Sequence, residues 1–150
     1  MMIATAASDG RADGCLVGFA TQCSIDPMRY LVCLSKENRS YEIAIRARAL
    51  CVHLLHASLE DRALARLFGE ETGFEVDKLA RCRWSPGPLG VPTLDGCDWF
   101  AGPVVGRFDL GDHVGFSLDV THADLQRLDE ARLSYRDVAD MKPGNPRSND

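Results

Sequence analysis

The chain has 150 residues, of which 45% are hydrophobic and 26% charged, a composition typical of one globular domain. Its formal net charge of −5 and its isoelectric point near 5.3 argue against a general electrostatic attraction to nucleic acid or to an anionic membrane. No segment approaches the roughly 18 consecutive apolar residues of a membrane span, and the N-terminus lacks the order of a signal peptide. We therefore expect a soluble, cytoplasmic protein.

The first predicted elements are two β-strands over residues 2–6 and 15–20, with turn signals at Asp9-Gly10 and Asp13-Gly14 between them. This order predicts a β-hairpin. A polar segment, residues 21–24, then separates the hairpin from the next strand.

Residues 28–34 are apolar at both even and odd positions, which predicts a strand buried on both faces. A polar loop follows, and either Asn38 or Ser40 offers an N-cap for a helix over residues 41–48. A further strand is predicted over residues 50–55.

Ser58 and Asp61 resemble a capping box, which predicts a helix over residues 59–68 that Gly69 ends. The periodicity assigns Asp61 to the solvent side. The predicted core-facing residues are Leu59, Ala63, Leu64, Leu67 and Phe68.

After Glu70 the pattern weakens to a helical turn over residues 76–80 and a Pro/Gly-rich loop over residues 85–92. Residues 98–108 and 113–120 then predict a long antiparallel pair, in which alternation directs His113 away from the core side. We expect one domain over residues 1–138 and a disordered tail over residues 139–150.

Short strands with interspersed helices, and no βαβ alternation, predict a mainly β fold with peripheral helices, an antiparallel barrel. A dinucleotide-binding Rossmann domain is disfavoured because no GxGxxG motif follows a strand.

Side chains suited to phosphate gather at the ends of two predicted neighbouring strands. Hydroxyls and cations in such a place favour a phosphorylated ligand, whose flat apolar portion must also contribute binding energy. The alternative is an ordinary solvated loop that caps a helix. The residues concerned are Thr21, Ser24, Ser35, Lys36, Arg39 and Ser40.

Other kinds of site have weaker support. His53 and His56 lack the additional ligands of a metal centre, so no metal site is predicted. Cys23 has no neighbouring base in the sequence, and Trp84 and Trp99 are expected to be core or interface aromatics. The six cysteines contain no CxxC pair and are expected to be reduced core thiols: Cys15, Cys23, Cys33, Cys51, Cys82 and Cys97.

Several motifs in order give the sequence a specific resemblance. It resembles the flavin reductase-like, FMN-binding split-barrel family over most of residues 2–135. The similar segments are residues 14–27 with Ser-x-Asp-Pro at their end, residues 30–40 with Cys-Leu and its polar loop, residues 51–55, the Leu-Ala-x-x-Phe-Gly helix at 64–69, and Gly111-Asp112-His113.

The resemblance implies a split β-barrel and a homodimer with flavin sites near the subunit interface. It also implies that His113 contacts the nicotinamide side of the flavin. The implied flavin contacts are Gly18, Phe19, Ala20, Thr21, Gln22 and Cys23 for the ring and ribityl chain, and Ser35, Lys36 and Ser40 for the phosphate, with Arg39 added by proximity.

By this resemblance the protein is an FMN-dependent NAD(P)H oxidoreductase that transfers hydride from nicotinamide to flavin N5 and supplies reduced flavin to a partner oxygenase. FAD in place of FMN, and NADH or NADPH as the donor, stay open. One alternative is a flavin carrier without reductase activity, suggested by a ring segment poorer in Asn, Ser and Thr than is usual in the family. Another is a split barrel that uses deazaflavin or haem.

Overall fold

A computed structural model describes residues 1–145 and shows a curled antiparallel sheet flanked by two α-helices and a small two-stranded sheet. The strands are β1 (Met2–Ser8), β2 (Arg11–Val17), β3 (Ala20–Ser24), β4 (Arg29–Ser35), β5 (Ala49–Leu54), β6 (Trp84–Pro86), β7 (Pro92–Leu94), β8 (Asp98–Asp109), β9 (His113–Asp119) and β10 (His122–Asp124). The helices are α1 (Arg39–Ala44) and α2 (Leu59–Glu70), with 3-10 turns at Leu79–Arg81, Pro88–Gly90 and Tyr135–Val138.

The large sheet has the strand order β2-β1-β5-β8-β9-β4-β3, with β10 beside β8 and every pairing antiparallel. The long strand β8 pairs with β5 through its first half and with β9 through its second, and the register shifts between Val104 and Gly106. Such a bulge bends a strand. The sheet therefore curls into the predicted antiparallel split barrel, which is confirmed.

A glycine at position 102 permits this curl. A Cβ atom at Gly102 would lie 1.8 Å from the carbonyl oxygen of Asp119, so the chain leaving β9 crosses the backbone of β8 with no space for a side chain. The close approach joins the two halves of the sheet.

The main core fills the inside of the curled sheet. The alternation predicted for β9 is confirmed, because Val114, Phe116 and Leu118 are buried while His113 lies half-buried on the other face. Other buried members are Ala4, Ala6, Cys15, Val17, Val32, Leu34, Ile43, Leu50, Val52 and Phe100.

A second apolar cluster lies between β1 and α2, where Ile3 and Leu55 meet Ala65 and Phe68. The prediction for this helix was wrong at Leu59, which is 82% exposed, and at Ala63, which is also exposed. The side of the helix that carries Ala65 and Phe68 faces the sheet, and Leu64 and Leu67 are partly buried beside it.

Several predicted boundaries in the first half need correction. The hairpin turn lies at Asp9-Gly10, as predicted, whereas Asp13 and Gly14 belong to β2, which ends at Val17. Residues 21–24, predicted as a polar connection, form most of β3. This strand lies at the edge of the sheet, where exposed side chains need not be apolar.

The helices and the Pro/Gly-rich segment also differ from expectation. The helix predicted over residues 41–48 is the six-residue α1, and α2 continues past Gly69 to Glu70. The predicted loop over residues 85–92 contributes to the β6–β7 hairpin, in which Pro86 and Pro92 form the last pair. Proline is tolerated there because this small sheet consists of edge strands. The helical turn predicted over residues 76–80 is found at Leu79–Arg81.

The segment after Val138 contacts the body of the domain as far as it is described. Met141 is partly buried against the second cluster, the Gly144 N–H donates to the Gly69 carbonyl at 3.0 Å, and the Asn145 side chain donates to Asn38 Oδ1 at 2.9 Å. Residues 146–150, the rest of the expected tail, lie outside the described residues. Within residues 1–145, no helix has the length and apolar character needed to cross a membrane.

Candidate functional site

The predicted phosphate loop and the Gly-Asp-His turn lie side by side. Strand β4 ends at Ser35, which pairs directly with His113 at the start of β9. The backbone N–H of Lys36 then donates to the carbonyl of Asp112 at 3.0 Å. Antiparallel pairing of β4 with β9 therefore brings together two motifs that are about 75 residues apart in the sequence.

A tight turn shapes the loop between β4 and α1. Ser35 accepts from the Glu37 N–H at its Oγ, at 3.3 Å, and from the Asn38 N–H at its carbonyl, at 3.1 Å. Asn38 is the N-cap residue of α1 but makes no side-chain capping bond. Ser40, the other candidate cap, lies inside the helix and is buried. A helix of six residues contributes little dipole, so the loop's own side chains must supply anion binding.

The two cations predicted for this loop already have partners. Lys36 Nζ lies 2.9 Å from Asp109 Oδ1, and this hydrogen bond, followed by that of the Gly111 N–H, holds the pKa of Asp109 below its usual range. Arg39 Nη1 donates to the Gly73 carbonyl at 2.6 Å. The Lys36 pair is solvent-exposed, and exposed pairs exchange partners at little cost.

Strand β3 supplies the segment predicted to contact the flavin ring. Gly18 and Phe19 precede it, and the Phe19 carbonyl accepts from the Cys33 N–H at 3.0 Å. Ala20 is half-buried, while Thr21, Gln22 and Cys23 are exposed along the edge strand. An edge strand presents backbone N–H and C=O groups that no neighbouring strand uses, and these suit a ligand's polar rim.

Two contacts fix the orientation of the His113 ring. Its Nδ1 lies 2.8 Å from Asp112 Oδ1, and its ring centroid lies 5.3 Å from that of Phe19 in an edge-to-face arrangement. A carboxylate at Nδ1 favours the tautomer with its proton on that nitrogen, which leaves Nε2 as a hydrogen-bond acceptor. The ring thus offers one defined polar atom beside a 61%-exposed aromatic ring.

A cavity of about 340 Å³ opens next to these groups. Three predicted site residues line it, Gly18, Ser35 and His113, while the end of α2 and the segment at 139–145 form another wall. The other eight predicted residues lie outside this cavity. Two of them, Gln22 and Cys23, line a separate open groove. The other six are Phe19, Ala20, Thr21, Lys36, Arg39 and Ser40.

The cavity wall also contains residues that the sequence did not indicate, namely Cys15, Asn38 and Lys78. Lys78 is 3% exposed, donates to the Gly14 carbonyl at 2.5 Å and lies 3.5 Å from Asp13 Oδ1. It occurs where the sequence pattern was weakest, before a short 3-10 turn, and no periodicity there predicted a buried side chain.

Four of the six cysteines are less buried than the core thiols that the sequence predicted. All six are free, and Cys15 and Cys51 are buried, but Cys23 is exposed and so is no core thiol. Cys33, Cys82 and Cys97 are half-buried. Burial raises the pKa of Cys15, Cys33 and Cys51, which disfavours the reactive thiolate at these positions.

The two histidines considered for metal binding have other partners. His53 Nδ1 lies 3.1 Å from the Ile3 carbonyl and its Nε2 accepts from the Leu94 N–H, while burial lowers its pKa to about 4. His56 lies between two buried carboxylates, with its ring nitrogens 3.5 Å from Asp61 and from Asp98. Within residues 1–145, no group of three or more His, Cys, Asp or Glu side chains is placed to hold a metal ion.

The position of Asp61 corrects the sequence-based assignment to the helix surface. Asp61 is buried and accepts from the His56 N–H at 2.6 Å and from Arg127 Nη1 at 3.0 Å. It faces inward because these donors offset the loss of its hydration. Ser58 caps the same helix as predicted, accepting from the Asp61 N–H at 3.0 Å.

Several curated proteins that are similar to this chain are named as reductases or reductase subunits. The chain is 28% identical over 146 residues, 96% of its length and 85% of the relative's, to "Ferric-chelate reductase (NAD(P)H)" from Archaeoglobus fulgidus. It is 34% identical over 99 residues to "FMN reductase (NADH) RutF" from Stutzerimonas stutzeri, a match that covers 63% of this chain and 52% of the relative. It is 35% identical over 88 residues, 56% of its length, to the monooxygenase reductase subunit HsaB of Rhodococcus jostii. The chain spans 43% of the length of that last relative.

Solved structures share the architecture. A flavin reductase domain protein from Arthrobacter sp. FB24 superposes with a TM-score of 0.80 at 20% identity over 99% of this chain and 88% of its own, which shows a common fold. Component B of nitrilotriacetate monooxygenase from Mycobacterium thermoresistibile has a TM-score of 0.74 at 26% identity, over 85% of this chain and 69% of its own. The flavin reductase like domain matches residues 1–140. The resemblance seen in the sequence is confirmed, and the chain belongs to the family of flavin reductase like domains.

Proposed function

We propose that the protein is an FMN-dependent NAD(P)H oxidoreductase that transfers hydride from nicotinamide to flavin N5. The observation that carries the proposal is the pairing of Ser35 with His113, which places a phosphate-type loop and a fixed imidazole beside one cavity. Membership of the flavin reductase like domain family supports the flavin as cofactor. The archaeal and Stutzerimonas relatives, named as NAD(P)H and NADH reductases, support the donor.

The groups of this loop suit a phosphorylated cofactor. The Lys36 ammonium is 35% exposed and Ser35 lines the cavity, while the buried Ser40 hydroxyl contacts the Cys15 thiol in the cavity wall. Ser35 and Lys36 lie at the opening of the same loop. These residues would hold the phosphate, with Arg39 close by and with Gly18, Phe19, Ala20, Thr21, Gln22 and Cys23 along the ring and ribityl chain.

Bound FMN supplies a hydride acceptor at N5, and the protein supplies position and electrostatics. His113, held by Asp112, offers Nε2 to a polar group of the nicotinamide and so orients its reactive face. No protein nucleophile takes part, since hydride passes directly between the two ring systems.

The phosphate contacts are testable by substitution at two loop positions. Lys36→Ala and Ser40→Ala should each weaken FMN binding, by roughly tenfold if one charge-assisted bond is lost. Fluorescence titration of FMN measures this, and the matched control is Arg46→Ala, an exposed cation just beyond α1 that does not line the cavity. Unchanged affinity in both loop variants would contradict the proposed site.

One contact favours a second candidate function, a flavin carrier without its own reductase activity. The Phe19 ring centroid lies 5.3 Å from that of His113, so an aromatic side chain contacts the imidazole proposed to bind the nicotinamide. Steady-state NADH and NADPH oxidation with excess FMN separates the two: a carrier binds FMN but oxidises neither nucleotide at a useful rate. Phe19→Ala should restore turnover if the ring alone blocks access.

We also propose that the protein forms a homodimer and passes reduced flavin to a partner oxygenase. Phe108 and Leu110 are each 52% exposed, and both lie against the outer face of β9 near Gly115, on the strand that begins at His113. Adjacent exposed apolar side chains of this kind indicate an interface. The relatives named as reductase subunits of monooxygenases support the oxygenase partner. Phe108→Asp should yield monomers in sedimentation velocity.

A further inference from the structure

A short segment of the chain, residues 142–145, forms one wall of the cavity, and we call it the strap. Pro143, Gly144 and Asn145 are among the residues that line the cavity. Ser35 and Asn38, from the candidate phosphate loop, line it as well. The strap therefore lies at the end of the cavity where the proposed phosphate site is.

Backbone contacts hold the strap against the end of α2. The Gly144 N–H donates to the Gly69 carbonyl at 3.0 Å, and carbonyls in the last turn of a helix have no partner within the helix itself. A Cβ atom at Gly144 would lie 2.5 Å from the Glu70 carbonyl oxygen, so the two backbones approach more closely than a side chain allows. The position therefore requires a glycine.

A side-chain hydrogen bond joins the strap to the candidate phosphate loop. Asn145 Nδ2 donates to Asn38 Oδ1 at 2.9 Å. Asn38 is the N-cap residue of α1, where an asparagine side chain commonly accepts from the first turn of the helix, but it makes no such bond here. Its amide oxygen bonds to the strap in place of the local cap.

The chain just before the strap is fixed by contacts of its own. Asp140 pairs with Arg66 at 2.8 Å, and Met141 is partly buried in the second apolar cluster. At the start of the strap, the Lys142 N–H makes only a long hydrogen bond of 3.4 Å to Glu70 Oε1. The preceding segment can therefore stay in place while the strap moves away from the cavity.

The strap lies where the two common flavin cofactors differ. FMN ends at its phosphate, whereas the phosphate of FAD continues into a second phosphate and an adenosine. With the first phosphate at Ser35 and Lys36, the extra group of FAD needs space beside the loop. On the Asn38 side the strap fills that space, because the Asn38 and Asn145 side chains are in direct contact.

We propose that the strap selects FMN against FAD by occupying the space beside the phosphate end of the cavity, and this inference rests on the proposed binding of FMN. FMN binds with the strap in place. FAD must first break the Asn38–Asn145 hydrogen bond and the Gly144 contact with α2, so it binds more weakly. The strap residues determine specificity and take no part in hydride transfer.

The first test compares the dissociation constants of FMN and FAD for the wild type, Gly144→Ala and Asn145→Ala. A Cβ atom at position 144 displaces the strap, so the preference for FMN over FAD should fall about tenfold. Loss of one hydrogen bond in Asn145→Ala should lower the preference about threefold, with FMN affinity itself changing less than about twofold. Lys142→Ala, which removes an exposed side chain of the same strap, is the matched control and should leave the preference unchanged.

An unaltered preference in both variants, or an equal loss of affinity for FMN and FAD, would overturn the proposal and make the strap a general wall of the site. The second test needs no variant and measures amide hydrogen exchange at the Gly144 N–H in the wild type. Saturating FAD should make this exchange severalfold faster than saturating FMN does, because FAD displaces the strap. Equal exchange with both flavins would also overturn the proposal.

The wild type reports separately on the proposed function. If it binds neither FMN nor FAD, both proposals fail. If it binds FMN and FAD equally well, only the selective role of the strap is contradicted, and the proposed binding of FMN stands.

Discussion

Two polar clusters in this domain differ in how far their side chains are exposed to solvent. In the first, which we call the clamp, Asp61 and Asp98 hold His56 between them, and Arg127 bonds to Asp61. Backbone N–H groups of Gln126 and Arg127 hold the pKa of Asp98 below its usual range, although desolvation acts to raise it. The clamp fastens the chain after β10 to the helix α2.

In the second cluster, beside the cavity, the polar side chains are more exposed. Those of Lys36 and His113 are 35% and 20% exposed, whereas those of His56, Asp61 and Asp98 in the clamp are at most 4% exposed. We therefore expect the buried charges of the clamp to contribute to folding, whereas the partly exposed groups beside the cavity are accessible to a ligand. Substitutions in the clamp should therefore alter stability, and those at the cavity should alter binding.

The largest effect is expected at the centre of the clamp. Asp61→Ala removes the acceptor of the His56 N–H and leaves Arg127 without its buried partner, so the free energy of unfolding should fall by about 3–5 kcal/mol. Urea unfolding measures this. FMN affinity of the folded variant should stay within about twofold, because Asp61 does not line the cavity. A loss below about 1 kcal/mol would contradict the structural role of the clamp.

The next effect is a pH dependence of stability from His53. Burial lowers its pKa to about 4 in the folded protein against 6.5 in the unfolded chain, so folding requires the neutral ring. This contribution is fully present above pH 6.5 and is lost as the pH falls towards 4, to a total of roughly 3 kcal/mol. Urea midpoints between pH 7 and pH 4 measure it. His53→Gln should flatten the slope, and an unaltered slope would contradict the assignment.

A smaller effect, on binding alone, is expected at the cavity. His113→Ala removes the proposed nicotinamide contact and should raise the KM for NADH by about tenfold, equivalent to one hydrogen bond, while the FMN dissociation constant and the unfolding free energy change little. Steady-state kinetics with saturating FMN measure this. If the FMN dissociation constant rises and the KM does not, His113 contacts the flavin instead.

The smallest effect is expected at the exposed ion pairs. Their loss of stability is the reference against which the loss in the clamp variant is compared. Arg66 bonds to Glu70 at 3.1 Å and to Asp140 at 2.8 Å in solvent, so Arg66→Ala should leave the urea midpoint almost unchanged. The same urea titration as for Asp61→Ala applies. A loss comparable to that of the clamp variant would show that exposure does not separate the two classes of pair.

The sequence predicted the sheet better than the site. Alternation in β9 and the turn at Asp9-Gly10 depend on local chemistry, and both were predicted correctly. The curl of β8 and the crossing at Gly102 depend on distant chain segments, and no local pattern encodes them. Asp61 was misplaced for the same reason, because its partner Arg127 is 66 residues away.

Motifs alone identified Ser35 and His113, and β4–β9 pairing brings these two together at the cavity. The burial of Lys78 had no sequence signal, since its partners Asp13 and Gly14 lie on a strand more than 60 residues earlier. Chemistry-bearing residues in motifs could thus be predicted, whereas a buried charge whose partners come from another element could not.

The most direct test of the central claim is an anaerobic absorbance experiment on the purified protein with bound FMN and added NADH or NADPH. We expect the oxidised flavin bands to bleach with at least one nucleotide, and bleaching to slow in His113→Ala under limiting nucleotide. Bands that persist with both nucleotides while FMN stays bound would contradict the reductase function and favour the carrier.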